Sequence, residues 1–250
     1  LMGLVAQPGR ATDRGAAGSD LNRYGMALLD VSTGEFAASA YRGETGRQAL
    51  VDDIAVLRPR EVLLSSESEL RALLPDSPAP LVTVVESWVF DIERARDALT
   101  TQLDTAGLDG FGLSDQPAAI AAAGALVHYL RDTQKAQLAH VRSITFRETR
   151  DAMVVDPSTL KHLEVVVSSD GTRAGSLLGE IDKTVTVMGS RLLRGWLLRP
   201  LVSLERVHNR LDAVEELAFR SVERGKLREA FKSVQDMERL VARAAMGTAG

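Results

Sequence analysis

Four carboxylates lie at or near the ends of predicted strands, a position where metal-dependent nucleases hold two divalent ions: Asp30, Glu35, Glu61 and Asp91. Such a site needs carboxylates that converge from neighbouring strands. Asp30 and Glu35 instead flank the turn of a predicted hairpin, where solvent reaches both, and the first predicted strand carries no second acid. We therefore predict no metal site and no catalytic residue, and we keep a metal-dependent nuclease as the alternative.

Neither the histidines nor the glycine-lysine pairs form a known ligand-binding pattern. The histidines are scattered along the chain, and no His-Glu-x-x-His motif occurs among them: His128, His140, His162 and His208. Residues 225–227 (GKL) lack the upstream glycine and the Ser/Thr of a phosphate-binding loop, and Lys183 lacks a preceding glycine. The sequence predicts no zinc, no ATP and no other cofactor bound by this chain.

The composition is that of an ordinary globular chain whose 250 residues suit two domains. There is no cysteine, which suits the cytoplasm, and no apolar run reaches the roughly 18 residues of a membrane span. Residues 1–149 carry 14 Lys+Arg against 20 Asp+Glu, a net −6, and residues 150–250 carry 16 against 14, a net +2. This balance argues against a chain that wraps nucleic acid by bulk charge.

The first part of the chain alternates strand and helix patterns. Residues 7–22 resemble a loop, residues 24–31 and 35–41 a hairpin around Ser32-Thr33-Gly34, and the apolar runs at 61–65 and 81–85 two further strands. Predicted helices end near Pro59, open at Ser66, are capped by Asp91 and run from Pro117 to about Leu138. The order β-β-α-β-α-β-α-α over about 140 residues is that of a ribonuclease-H-like domain, and it also fits other α/β folds.

After His140 the pattern becomes mainly helical. Residues 141–155 are predicted as a strand-containing junction, and residues 163–167 as a strand. Met188, Leu192 and Trp196 recur every four residues, so we expect them to form a buried helical stripe. Ser203 is expected to cap the next helix, and one last helix should carry Leu227, Phe231, Val234 and Val241. The second half is therefore predicted to be an all-α domain with a β-containing entry.

Five segments of the second half occur in the order of one known family: VDPSTLKHLE (155–164), SLLGEIDKTVTVMGSRLLR (176–194), WLLRPL (196–201), RLDAVEEL (210–217) and DMERL (236–240). Together they resemble the core of the MutS family of DNA mismatch repair proteins. In the first half, DVSTGEF (30–36) and residues 121–138 are similar to the hairpin and closing helix of that family's connector domain. His162 and Val187 depart from the family's usual residues, which concerns local packing.

The resemblance assigns scaffold roles to twelve motif residues: Asp156, Thr159, Leu163, Glu164, Met188, Gly189, Arg191, Pro200, Arg210, Asp212, Asp236 and Arg239. Gly189 is expected to let helices approach closely. Arg191 is expected to tie helix ends together through a carboxylate such as Asp212 or Glu215.

The triplet Phe146-Arg147-Glu148 resembles the Phe-x-Glu motif with which MutS proteins read a mispaired base. In that family the motif belongs to an N-terminal domain. Here it falls at the predicted junction between domains, so we interpret it as junction packing.

The resemblance implies a ribonuclease-H-like α/β connector domain (1–140), a junction (141–155) and the N-terminal part of a mainly α-helical core and lever domain (156–250). Both ends of the chain look cut. The chain would be a non-catalytic, cytoplasmic and nucleoid-associated fragment that transmits signals between mismatch-binding and ATPase domains lying outside it. The full-length family protein is a DNA-dependent ATPase that uses ATP and Mg²⁺.

The same resemblance implies several partners. Mismatched duplex DNA would bind through the missing domains, a MutL-type protein at the connector, and a second copy in the full-length homodimer, with no membrane involved. Besides the nuclease, a MutS-related paralogue that acts on recombination intermediates is the second alternative.

Overall fold

A computed structural model describes residues 1–7, 22–76, 78–134, 138–148 and 152–248. They divide into two compact units, Leu1–Thr149 with Val241–Gly250 and Arg150–Leu240. The predicted loop at 7–22 lies outside the described residues apart from its two ends. The domain limits 140/141 and 155/156 stay predictions. Among the helices described, none combines the length and apolar character needed to cross a bilayer.

The first unit is built on a six-stranded mixed sheet with the order β5-β4-β1-β2-β3-β6. The strands β1, β2 and β3 pair antiparallel, whereas β1-β4, β4-β5 and β3-β6 pair parallel. Their bounds are β1 Met2–Gln7, β2 Arg23–Asp30, β3 Glu35–Arg42, β4 Glu61–Ser65, β5 Leu81–Val85 and β6 Thr145–Phe146.

The central strand β1 was not predicted, so the expected order β-β-α-β-α-β-α-α lacks its first strand. The hairpin was predicted correctly. The backbone N–H of Gly34 donates to the Asp30 carbonyl over 2.8 Å, and Gly34 has φ +78°, a conformation that glycine adopts without steric cost. The Asp30 carboxylate also accepts hydrogen bonds from the backbone and hydroxyl of Ser32.

Helices cover both faces of this sheet. On one face α1 (Gly43–Leu57) packs Leu50 and Ile54 into a core with residues of β1, β2 and β4. On the other face lie α2 (Ile92–Leu103) and α3 (Pro117–Gln134). Asp91 caps α2 as predicted, but the helix expected from Ser66 is only a 3-10 turn, Glu69–Leu73, which Ser68 caps.

The helix α3 owes its place in the core to small side chains. Residues 118–127 are all buried, and most are alanine. A Cβ added at Gly25 of β2 would collide with the Ala118 carbonyl, and one at Gly124 would collide with Ala95 of α2. The helix therefore lies within backbone contact of the sheet on one side and of α2 on the other.

The second unit is helical, with α4 Pro157–His162, α5 Leu177–Ile181, α6 Val187–Leu198, α7 Leu204–Phe219, α8 Ser221–Phe231 and α9 Met237–Ala245, whose last residues belong to the first unit. Ser203 caps α7 as predicted. Two predictions were wrong. Residues 163–167 form a turn and a bend just after α4, and Glu164 adopts φ +49° there. The last helix, predicted as one, is in fact two: α8 ends at Phe231 and α9 begins at Met237.

Few side chains of this second unit are buried. Within described residues 152–240 the buried set is Leu160, Val165, Ser176, Leu178 and Leu198. The predicted buried stripe of α6 is not a core, since Leu192 is 56% exposed and Trp196 is 39% exposed. Amphipathic spacing identified the apolar face correctly, but nothing in this unit covers it among the residues that the structure describes.

Candidate functional site

The four carboxylates considered for a metal site are bound to groups of their own chain. Asp30 accepts from Ser32, Asp91 from the backbone of Arg94 at 3.1 Å, and Glu35 from Arg147 at 2.7 Å. Glu61 accepts from two hydroxyl groups. Across the described ranges there is no group of three or more His, Cys, Asp or Glu residues placed to hold a metal ion. The nuclease alternative therefore gains no support from the geometry.

The triplet at 146–148 begins in the last strand of the first unit's sheet and continues just beyond it. Phe146 belongs to β6, opposite Ala38 of β3, and its ring packs half-buried against the core. The Arg147 backbone N–H donates to the Ala38 carbonyl over 2.8 Å. Phe146 thus packs within the first unit, and its predicted role in packing at a domain junction stays a prediction.

The first motif of the second unit is a capped helix start. The Asp156 carboxylate accepts from the Thr159 backbone at 3.0 Å and from its hydroxyl at 2.5 Å. The Thr159 hydroxyl bond is the main reason why the pKa of Asp156 lies below its ordinary value. At the other end of α4, Glu164 accepts from the Ser169 backbone, while the Leu163 side chain is exposed. These residues form a local fold rather than a binding pocket.

Asp182 is the most enclosed carboxylate of the motif region, and it was not among the predicted site residues. Its two oxygens accept from the hydroxyls of Ser190 and Thr184, each at 2.6 Å, and Arg173 also binds it. The Ser190 bond first, and then that of Thr184, hold the pKa of Asp182 well below its usual range. The Asp-x-Thr spacing, typical of a side chain that accepts from the backbone two residues later, was the available signal.

Gly189 lies in the first turn of α6 and donates its backbone N–H to the Thr186 hydroxyl over 3.1 Å. A Cβ at this position would lie 3.1 Å from that hydroxyl oxygen and 3.3 Å from the Cβ of Thr184. The expectation that Gly189 lets two helices approach was therefore wrong: it makes room for the capping segment just before its own helix. Met188, its neighbour, is half-buried.

Arg191 joins α6 to the start of α9. Its two terminal nitrogens bind the two oxygens of Asp236 at 2.7 and 2.8 Å, and Glu238 adds a further ion pair. The prediction of Asp212 or Glu215 as its partner was wrong, because both lie on the exposed surface of α7. The Asp236 hydrogen bond raises the pKa of Arg191, and the Arg191 bond lowers the pKa of Asp236 to about 2.

The remaining motif residues also contact their own unit. Arg239 approaches Asp236 at 3.6 Å and donates its backbone N–H to it. The Pro200 carbonyl accepts from the backbone of Met153 at 2.7 Å. The Arg210 guanidinium lies 3.6 Å from the centre of the Trp196 ring, a cation–π contact.

These bonds define a class of protein. Most of the predicted motif side chains cap a helix, join two helices or contact a neighbour, and the class is that of an α/β unit followed in sequence by a helical unit.

Comparison with known sequences identifies the family. The family model of MutS domain II matches residues 11–142, and that of MutS domain III matches residues 158–250. The chain belongs to the MutS family.

Individual relatives agree. The chain is 43% identical to a DNA mismatch repair protein MutS of Symbiobacterium thermophilum over 233 residues, covering 90% of this chain and 26% of the relative. It is 42% identical to that of Myxococcus xanthus (90% and 25%) and 37% identical to that of Roseiflexus castenholzii (92% and 25%). The chain thus spans about a quarter of the length of these relatives.

Proposed function

We propose that this chain is the connector and the first part of the core of a MutS-type mismatch recognition protein. The observation that carries this proposal is that models of two consecutive MutS domains match the two halves of one chain. In this role the chain has no catalytic site of its own. It transmits signals between a mismatch-binding domain and an ATPase that uses ATP and Mg²⁺, both in other parts of a longer, cytoplasmic, homodimeric protein.

The connector is proposed to be ribonuclease-H-like. The sheet supports this, since an antiparallel meander of β1, β2 and β3 is extended beside β1 by the parallel strands β4 and β5, with helices on both faces. A MutL-type partner is proposed to dock on this unit, and mismatched DNA to bind through other domains. The net −6 of residues 1–149 supports the second point, because phosphate contacts need basic surfaces.

Transmission requires that separate segments move as one body. Arg191 provides such a link, because its fork joins two segments 45 residues apart in sequence and is only partly exposed. A bidentate pair of this kind fixes orientation as well as distance.

The test uses the longer protein, with Arg191→Met compared with Lys232→Gln, which removes a cation from an exposed pair with Glu229 on the same unit. ATP turnover is measured with matched and with mismatched duplex DNA. Arg191→Met should keep mismatch binding, while the mismatch-dependent change in turnover falls about threefold or more, since such networks carry coupling of about 0.5–2 kcal/mol. The control should behave as wild type. A normal response in Arg191→Met, or a loss that merely follows lost DNA binding, contradicts transmission through this link.

A further inference from the structure

A cavity of about 480 Å³ lies in the first unit beside the outer strand of the sheet. Its wall combines aromatic rings, carboxylates and hydroxyl groups: Thr83, Glu86, Trp88, His128, Tyr129 and Asp132. None of these residues is among the twelve motif residues of the helical unit. The cavity is therefore a separate feature of the α/β unit, and a ligand bound there does not depend on the proposed role in transmission.

Trp88 forms the aromatic part of this cavity and is 44% exposed, which is unusual for so large an apolar side chain. The His128 and Trp88 rings lie nearly perpendicular, at 83°, with 5.0 Å between ring centres. The Arg94 guanidinium of the same chain lies 4.8 Å from the centre of the Trp88 ring. The indole therefore makes a cation–π contact within its own chain and still lines the cavity with an exposed ring.

The residues that line the cavity include two carboxylates, Glu86 and Asp132, and neither lysine nor arginine. Glu86 and Asp132 are exposed at its border, and Asp132 lies 3.3 Å from Nδ1 of His128. The hydroxyls of two lining residues are held by Glu61, which lies outside the lining: one of its oxygens accepts from Thr83 at 2.6 Å and from Tyr129 at 2.8 Å. Burial, and then the bond to Glu61, raise the pKa of Tyr129, so the phenol stays neutral. This set matches a positively charged ligand and repels phosphate.

The strand β5 adds an open hydrogen-bonding edge. Within the described ranges β5 pairs only with β4. The Leu81 N–H donates to the Arg60 carbonyl and the Val85 carbonyl accepts from Ser66, so the backbone groups of these alternate positions face β4. Those of Val82 and Val84 consequently face outward. Such an edge is a template for an added strand.

We propose that the edge of β5 and the cavity beside it bind an extended segment of a partner protein that carries an arginine. The segment adds a strand to β5 through Val82 and Val84. Its arginine enters the cavity, where the guanidinium meets the indole of Trp88 and the carboxylates of Glu86 and Asp132. Arginine suits this site better than lysine because its planar fork stacks on aromatic rings and binds carboxylates through two hydrogen bonds.

The experiment selects phage-displayed random decapeptides on the immobilised 250-residue chain. Recovered peptides should carry one arginine flanked by β-branched residues. A labelled peptide is then titrated by fluorescence anisotropy against wild type, Trp88→Ala, Glu86→Lys and Val84→Pro. Each variant should weaken binding about tenfold, equivalent to about 1.4 kcal/mol. Replacing the peptide's arginine with alanine should do the same.

Two matched controls separate the site from general effects. Trp196→Ala removes the other tryptophan, and Glu215→Lys reverses an exposed charge in the second unit. Both should bind the peptide as wild type does, and circular dichroism should show every variant folded. The proposal is overturned if no peptide is recovered or if the recovered peptides lack arginine. It is also overturned if the peptides bind Trp88→Ala and Glu86→Lys as tightly as they bind wild type. Tighter binding of an acidic peptide or of DNA to this surface also overturns it.

Discussion

The α/β unit is stabilised by different interactions from those that stabilise the helical unit. In the first, helices on both faces of the sheet bury two apolar clusters, and Met2 and Leu4 of the central strand are fully buried. In the second, side-chain caps and ion pairs fix the helices, while large apolar residues such as Leu192, Leu211 and Phe219 stay exposed. An amphipathic sequence therefore specifies which face of a helix is apolar without specifying that the same chain covers it.

The largest difference between the units should appear on truncating a leucine. Leu63 of β4 is fully buried, so Leu63→Ala should cost about 2–5 kcal/mol, whereas Leu192→Ala on α6 should change stability by at most about 0.5 kcal/mol. Urea denaturation followed by Trp88 fluorescence, in a Trp196→Phe background, measures the first unit. In a Trp88→Phe background, Trp196 reports on the second. Equal losses in the two variants would contradict the comparison.

An effect of intermediate size should come from pH, through Asp236. Its pKa falls from the ordinary value of 3.8 to about 2 on folding, mainly because of Arg191. The carboxylate therefore stabilises the helical unit fully above about pH 4, and this contribution is lost as pH falls through about 2.

The measurement is urea denaturation reported by Trp196 at about pH 6 and about pH 2.5. Between these two pH values wild type should lose more stability than Asp236→Asn does. The control Asp212→Asn, on exposed α7, should lose as much as wild type. If Asp236→Asn shows the same pH dependence as wild type, the Arg191 link does not stabilise the folded unit.

The smallest expected effect concerns Trp196. A buried tryptophan would cost about 3–5 kcal/mol on truncation to alanine. Because Trp196 is partly exposed and contacts Arg210, a double-mutant cycle of Trp196→Ala and Arg210→Ala should give a coupling of about 0.5–1 kcal/mol. Thermal denaturation by circular dichroism suffices for this cycle. If Trp196→Ala unfolds the helical unit, the prediction from the sequence that Trp196 belongs to a buried stripe is correct after all.

Local signals predicted the fold best. The hairpin at Gly34 and the caps Asp91 and Ser203 were assigned correctly, because each depends on residues within a few positions. The strand β1 was missed although Pro8-Gly9 follows it, because a short apolar run does not by itself reveal that it pairs with β2 and β4.

Pairings between distant residues of the motif region were harder to predict from the sequence. The sequence offers Arg191 several carboxylates, such as Asp212 and Glu215, and nothing in their spacing indicates that Asp236, 45 positions later, lies opposite its fork. Asp182 was overlooked for a related reason, since two of its partners, Arg173 and Ser190, come from either side of it in sequence. Charge and hydrogen-bonding capacity are evident in a sequence, whereas the choice among partners is made by the packed backbone.

The contact of α3 with its surroundings has a mechanical consequence. At Gly25 and Gly124 the backbones of sheet and helices touch without intervening side chains, and the neighbouring residues are alanines that have no rotamers to adjust. Contacts of this kind yield little under load, because close-packed interiors have low compressibility and transmit strain. A displacement of α2 is therefore expected to move α3 and β2 with it, so that this part of the α/β unit responds as one stiff body.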